Sequence, residues 1–514
     1  MSISSIKRAL VSVSDKSGIV EFSRELSKFG IEILSTGGTT KLLRDQGIRV
    51  QEVSSYTGFP EILNGRVKTL HPKIHGGILS QRLEADQAIL DLHGIEPIDL
   101  VVVNLYPFED ILQKEGVSEA EIIEHIDIGG PTLLRSAAKN FQYVTAVTEN
   151  SDYSAILSEI RAYGGTTLEL RRRLAFKVFR KTSHYDQAIA DFFHGNGAKR
   201  ELLDLHYEKV LSLRYGENPH QKAAFFRDLT NDYPNVTNAR ILQGKQLSYN
   251  NILDTDSAIK IVQDFDRPTA AVIKHTNPCG VASAETIAEA FEKAYLCDPK
   301  SSFGCIIALN RPCDKEIVKF FRKHKMFVEI VVAPSFSEKA CSLLSKKNDL
   351  RLLATGDLRI NPKERDIKSV GGGILVQNMD FSDISRSDLK IVTRRVPTDE
   401  QMTDLLFARK IAKHVKSNAV VFAKNEVTTG IGAGQMSRVD SVFIAGHKAL
   451  DRAKDSVMAS DAFFPFADGV TEAWKAGITA IIQPGGSIRD AEVIAKADEL
   501  GIAMVFTGVR SFKH

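Results

Sequence analysis

The chain has little net charge, few cysteines and no long apolar run, and each scarcity removes a class of function. Its 67 lysines and arginines against 64 aspartates and glutamates leave a formal charge of +3 over 514 residues, too weak a field to draw in nucleic acid. The five cysteines, at 279, 297, 305, 313 and 341, include no CxxC pair, so no zinc site is expected. An odd set of scattered thiols suits a reducing compartment. The longest apolar runs, such as "LVVV" at 100–103, are far too short to cross a bilayer. The stretch "MSISSIKRALVSVSDK" lacks the apolar core of a signal peptide. Low-complexity tracts and short-period repeats are missing as well. The expectation is a soluble cytoplasmic protein with no nucleic-acid or membrane partner.

What is there is ordinary globular material, 43% apolar and 25% charged, in a chain too long for one core. The first part alternates strand-like and helix-like segments. "RALVSVS" (8–14), "IEILS" (31–35), "IRVQEV" (48–53) and "IDLVVVNLY" (98–106) read as strands, with helical spacing at Ile19, Phe22 and Leu26 and a second short helix in "TTKLLRDQG". That alternation predicts a wound α/β domain with right-handed crossovers. A long helix is expected over 167–193, its basic cluster "RRRLAFKVFRK" (171–181) reading as a solvated amphipathic face. The polar break "HGNGAKR" (194–200) sets the expected boundary, giving domains 1–197 and 198–514. The second domain mixes strands ("TAAVIKH", "GCIIALN", "VEIVVAP", "NAVVFAK", "ITAIIQP") with helices and is large enough for two subdomains.

In the first domain, "STGGTTKLL" (35–43) joins a strand to a helix through two glycines flanked by hydroxyls. Such a join exposes N–H groups to an anion at a helix N-terminus, or is a plain tight turn. "GRVKTLHPKIHGG" (65–77) places Arg66, Lys68, His71, Lys73 and His75 along one loop. "IDIGGPTLLRSAAKN" (126–140) offers Asp127, a Gly-Gly turn, Pro131 at an expected first helical position, and Arg135 and Lys139 on one helix face. "NLYPF" brings Asn104 and Tyr106 to the C-terminal end of an apolar strand, where open α/β sheets place ligands. Together with "SVSDKSG" and "TGFPEIL", these segments resemble the inosine monophosphate cyclohydrolase domain of the bifunctional purine-biosynthesis enzymes, a methylglyoxal-synthase-like fold. The resemblance implies nucleotide phosphate held by Ser12, Lys16, Ser35, Thr36, Gly37 and Thr39. It implies ring closure near Arg66, Lys68, Thr69, Asn104, Tyr106, Asp127 and Lys139. Closing a purine ring needs donors for developing oxyanion charge, which Lys68, Lys139 and Tyr106 supply in kind, and a proton acceptor, for which Asp127 is the carboxylate at hand.

In the second domain, "LRYGENPHQ" (213–221), "LSYNNILD" (247–254), "AAVIKHTNPCG" (270–280), "SSFGCIIALN" (301–310), "IGAGQMSR" (431–438) and "SDAFFPFADG" (460–469) are turn-rich ends of apolar runs. Each alone reads as structural, and together they suggest a composite site. They resemble the transformylase half of the same enzymes, in the same domain order, with two cytidine-deaminase-like α/β subdomains. The resemblance implies catalytic Lys274 and His275, with Asn418 and Asp468 as polar partners. It implies substrate contacts from Arg214, Tyr215, Phe303, Gly304, Glu329, Pro465 and Arg510. It also implies 10-formyltetrahydrofolate as co-substrate, a homodimer with transformylase sites at the interface, and in some relatives a structural potassium ion that has no assigned place here. No HxE with PCxxC is present, so zinc hydrolysis is not implied. Two departures stand out: Ala467 where an Arg is common before the Asp, and Glu329 where an Asp is common. The segment between Asp440 and Asp461 is short, as in bacterial-type members.

Formyl transfer to the conjugated 5-amine of aminoimidazole carboxamide ribonucleotide (AICAR) requires orientation, amine deprotonation and oxyanion stabilisation. His275 is the expected proton carrier and Lys274 the electrostatic stabiliser. Neighbours on a regular strand face opposite ways, so the chain must break for both to reach one substrate, and Pro278 and Gly280 are expected to bend it. Two rivals compete with this reading: a methylglyoxal-synthase-like lyase fused to a deaminase-like module, and a nucleotide sensor attached to a binding module.

Overall fold

The computed structural model describes residues 2–112, 114, 116–194, 203, 205–229 and 231–514, and it divides into two compact units, Met1–Asp204 and Leu205–His514. The expected boundary at 197/198 lies outside the described residues. Among those described, no helix is long and apolar enough to cross a membrane.

The first unit is built on a five-stranded parallel sheet in the order Gln51–Glu52, Glu32–Ser35, Arg8–Val13, Leu100–Asn104, Thr145–Val147. Alternate residues of its strands feed two cores. Ala9, Val11, Leu100 and Val102 pack with Ile19, Phe22 and Ile156 on one face, while Leu10, Leu34, Val101 and Val103 pack with Ile74, Leu133 and Val178 on the other. Burial on both faces is why these strands read as continuous apolar runs. The chain reverses its winding between Arg8–Val13 and Leu100–Asn104, and this switch point is where a doubly wound sheet opens a crevice. Three local expectations change. The third strand shrinks to Gln51–Glu52 because the helix Val53–Thr57 follows at once. Pro131 is the third residue of the helix Gly129–Lys139, not the first. Along Leu168–His194 the basic face is not wholly solvated: Arg171 is buried and donates to the carbonyls of Phe141, Gln142 and Thr166, whereas Phe176 and Phe179 are exposed.

The second unit carries a 12-stranded mixed sheet that is a structural duplication. In the first half the hairpin Thr269–Lys274/Asn277–Ser283 is followed by Cys305–Leu309, Val328–Ala333 and Arg351–Ala354. The second half repeats this as Val420–Lys424/Val427–Gly432, Val457–Ser460, Ala480–Gln483 and Ala503–Phe506. The halves meet back to back through the Ala282–Val427 pair. A single core spans both helices Tyr249–Gln263 and Asp399–Ala412 on one face, and the opposite face has a separate core for each half. Gly280 and Gly430 are 150 positions apart, and at each an added Cβ would strike the carbonyl of a covering helix, at Ala294 and Ala445 respectively. Close helix–sheet contact, not bending, is therefore the reason for Gly280. The chain instead turns at His275 and Thr276, whose φ values of 53° and 60° lie in the left-handed region. Pro278 sits in the returning strand opposite Ile273, beside a register shift.

Candidate functional site

In the first unit the two strand ends flanking the switch point are tied by one side chain. Asn104 accepts from the Ser14 N–H at 2.5 Å, the Ser14 hydroxyl at 2.8 Å and the Asp15 N–H at 3.1 Å, and donates to the Asp15 carbonyl at 3.0 Å. Beside it, Ser12 and Thr36 share a hydroxyl hydrogen bond of 2.9 Å, and Lys16 Nζ donates to Thr39 Oγ1 at 2.8 Å and to the Val13 carbonyl. Burial lowers the Lys16 ammonium below its usual range. Gly37 opens the helix Gly37–Asp45 with φ 47° and open space around its Cα. Hydroxyls, an ammonium and a helix N-terminus thus converge as an anion site requires. Ser35 differs: it is fully buried and its hydroxyl donates to the Val11 carbonyl at 2.7 Å.

A second cluster surrounds Asp127. Its carboxylate accepts from the Gly130 N–H at 2.8 Å, its own N–H donates to the Tyr185 hydroxyl at 2.8 Å, and Thr69 lies against Gly129. Burial raises the Asp127 carboxyl, against the pull of the Gly130 N–H and of the nearby Lys68. Arg66 is engaged by Glu124 in a two-point pair. Tyr106 is half-exposed and, with Asn104, lines a cavity of about 640 Å³ that also reaches His184 and Tyr185. Lys139 ends the 11-residue helix that Gly129 begins, so its backbone stands roughly 15 Å along the axis from the start of that helix.

In the second unit Lys274 and His275 share a cavity of about 480 Å³ with Cys279, Asp298, Ser301, Gln435 and Lys448. Lys274 ends its strand and donates to the Phe303 carbonyl at 2.7 Å. The loop leading to Phe303 is held by Asp298, which accepts from the Ser301 N–H and hydroxyl at 3.0 and 2.6 Å and from Lys448 Nζ. Burial alone would raise the Asp298 carboxyl, but these donors outweigh it and leave it below its usual range. Burial also pushes the Cys279 thiol up to about 12, which makes it an inert wall. Asn418 is fixed by donation to the Gln435 and Met436 carbonyls at 2.8 and 3.1 Å and by the Arg438 guanidinium at 2.7 Å. Its neighbour Lys416 donates its N–H to Asn277 at 3.1 Å, beside the His275 turn.

The remaining expected contacts lie outside that cavity within one chain. Arg214 stacks on Tyr215 at 5.4 Å and Arg510 on Phe512 at 4.9 Å. Glu329 is held by Arg351 at 2.7 Å. Asp468 is exposed as the first residue of Asp468–Ala476, accepting the Gly469 N–H at 2.7 Å, with Pro465 exposed just before it. Gly304 (φ 71°) follows Phe303, whose exposed ring leans on Phe327 at 5.1 Å. Among the described residues no group of three or more His, Cys, Asp or Glu side chains is placed to hold a metal ion. Sequence reasoning missed Asp254, Asp298, Gln435 and Lys448, since carboxylates and amides on helices and loops give no spacing signal. The signal was long-range, in the 150-residue offset of Asp254 from Asp404 and Lys274 from Lys424.

Residues 137–448 match the family described as AICARFT/IMPCHase bienzyme, and residues 18–132 match the MGS-like domain. The bifunctional purine biosynthesis protein PurH of Bacillus subtilis (strain 168) is 51% identical over 512 residues, covering 99% of this chain and 100% of the relative. Its namesake from Anoxybacillus flavithermus (strain DSM 21510 / WK1) is 52% identical over 512 residues, with coverage of 99% and 100%. A solved structure titled "Crystal structure of ForH" shares 37% identity, covers 37% of this chain and 100% of its own, and superposes with a TM-score of 0.34.

Proposed function

The chain belongs to the AICARFT/IMPCHase bienzyme family, and from that premise we propose which of its residues carry each of its two activities. It is a bifunctional enzyme of purine biosynthesis that formylates AICAR, with a folate as co-substrate, and cyclises the product to inosine monophosphate with loss of water. In this reading the formyl donor is 10-formyltetrahydrofolate, formyl transfer belongs to Leu205–His514 and ring closure to Met1–Asp204.

The observation that supports the transferase assignment is that Lys274 and His275, adjacent in sequence, open into one cavity because the strand ends between them. His275 takes the proton as the 5-amine attacks the formyl carbon. Lys274, anchored on the Phe303 carbonyl, places its ammonium by the resulting oxyanion. Collapse breaks the bond from carbon to N10 of the folate, and N10 gains a proton, so amine and leaving nitrogen exchange the formyl group for a hydrogen. Asn418 orients the substrate amide region from its fixed position. In the cyclohydrolase half, Ser12, Lys16, Thr36, Gly37 and Thr39 hold the nucleotide phosphate. Asp127 removes the carboxamide proton as that nitrogen attacks the formyl carbon, and Lys68 and Tyr106 stabilise the oxyanion before water leaves.

The reading extends to a homodimer. Arg214, Tyr215, Glu329, Asp468 and Arg510 do not line the Lys274 cavity within one chain, and in this reading a partner copy supplies them. The hairpin Arg365–Val370/Gly373–Asn378 exposes Val370, Ile374, Leu375 and Val376, and a two-stranded hairpin with an apolar surface is marginal unless covered. The test is to supply AICAR and 10-formyltetrahydrofolate and follow inosine monophosphate. His275→Ala should abolish formyl transfer yet still cyclise formylated nucleotide supplied directly. Loss of both activities in folded protein would refute the two-site assignment, and a monomer by light scattering would refute the shared site.

A further inference from the structure

We infer that Asp254 is a positioning residue for formyl transfer, its carboxylate locking the two-residue turn that aims the His275 ring. This rests on the reading of His275 as the proton carrier.

A turn with two consecutive left-handed residues is normally built from Asn-Gly or a similar pair. Here it is built from His275 and Thr276, at φ 53° and 60°, and a β-branched residue in that region is an outlier that something must hold. The holding group is a helix carboxylate. Asp254 projects from the helix Tyr249–Gln263 and accepts the Thr276 N–H at 2.6 Å, next to the His275 turn residue. The helix is itself anchored, with Ile252, Thr255 and Ala258 buried and Ser248 and Asn251 forming a capping box at its start. Asp254 therefore acts on the backbone of the turn, and through it on the imidazole.

The duplicated half provides an internal control. There Asp404 accepts the N–H groups of Asn425 and Glu426 at 2.8 and 2.6 Å, and these residues have φ 55° and 53°. Lys424 stands where Lys274 does, and donates to the Lys454 carbonyl at 3.2 Å. The same carboxylate device thus holds both turns, but only the first turn presents an imidazole. A purely structural role would make Asp254 and Asp404 equivalent; a positioning role separates them.

The experiment compares Asp254→Ala, Asp254→Asn, Asp404→Ala and His275→Ala in the full chain, measuring kcat and KM for AICAR, cyclisation of supplied formylated nucleotide, and Tm. Asp254→Ala should lower the formyl-transfer kcat about 100-fold, the scale of a misplaced catalytic group, with KM for AICAR and cyclisation little changed. Asp254→Asn keeps one acceptor oxygen and should restore most of the kcat. Asp404→Ala should lower Tm as Asp254→Ala does, yet keep its kcat. If Asp254→Ala does not fold, Asp254→Glu, which shifts the carboxylate by one methylene, should lower kcat about 10-fold at near-native Tm. Native kcat in the folded Asp254 variants, or an equal kcat loss in Asp404→Ala, overturns the inference. An inactive His275→Ala beside a fully active Asp254→Ala would overturn the inference while sparing the assignment of His275. An active His275→Ala would overturn both.

Discussion

Lys274 Nζ donates to the backbone carbonyl of Phe303 at 2.7 Å, so the ammonium is positioned by main chain and not by a carboxylate that would neutralise it. Its full charge is left for a developing oxyanion. Lys274→Met should therefore lower formyl-transfer kcat by about 10²–10³, the usual worth of a preorganised donor, while cyclisation is unaffected. Retained kcat with a raised KM would place Lys274 in ground-state binding instead.

Asp127 carries a pH signature. Burial raises its carboxyl in the folded protein above its ordinary value in the unfolded chain, so between those two pKa values the folded state binds more protons than the unfolded state. Stability therefore falls as pH rises through that window and stays lower above it. Asp127→Asn should leave the protein at least as stable at neutral pH while reducing cyclisation by about 10²–10⁴. A large loss of Tm in that variant would mean the carboxylate is structural.

Neighbouring Ser35 and Thr36 should separate cleanly. The Ser35 hydroxyl is buried on the Val11 carbonyl, whereas Thr36 pairs with Ser12 at the crevice. Ser35→Ala should cost about 1 kcal/mol of stability and leave KM for the formylated nucleotide unchanged. Thr36→Ala should raise that KM about tenfold, equivalent to roughly 1.4 kcal/mol. Titration of KM in both variants checks this.

Gly280 and Gly430 should tolerate no side chain. The obstructing atoms are helix carbonyls, which no rotamer change can move aside, so Gly→Ala at either position should cost about 1–3 kcal/mol. Urea unfolding would read it, and a neutral result at either glycine would show that the helix can shift.

Much of the first domain was legible because parallel strands covered on both faces must be apolar throughout, as in "LVVVN". Asn104 followed from where its apolar run stops, whereas Ser12 was implied by the family resemblance. The duplication in the second domain was implied only by the family resemblance, because its halves share only scattered positions, such as Asp254/Asp404, Lys274/Lys424 and Gly280/Gly430. "KHTNPCG" pointed to a turn at Pro278 because proline is the stronger local signal. The turn formed two residues earlier, where a helix carboxylate held His275 and Thr276 against their own preference.

By itself, the sequence determined the α/β class, the family and the residue types available for proton transfer and anion binding, since these depend on local pattern and on chemistry carried by side chains. Tertiary structure alone decided which of them meet. Asn104 joins two strand ends about 90 positions apart in the chain, and Lys139 is carried to the far end of its helix from Asp127. Asp254 reaches a turn 22 residues away. Such pairings depend on long-range packing, which leaves no periodic mark along the chain.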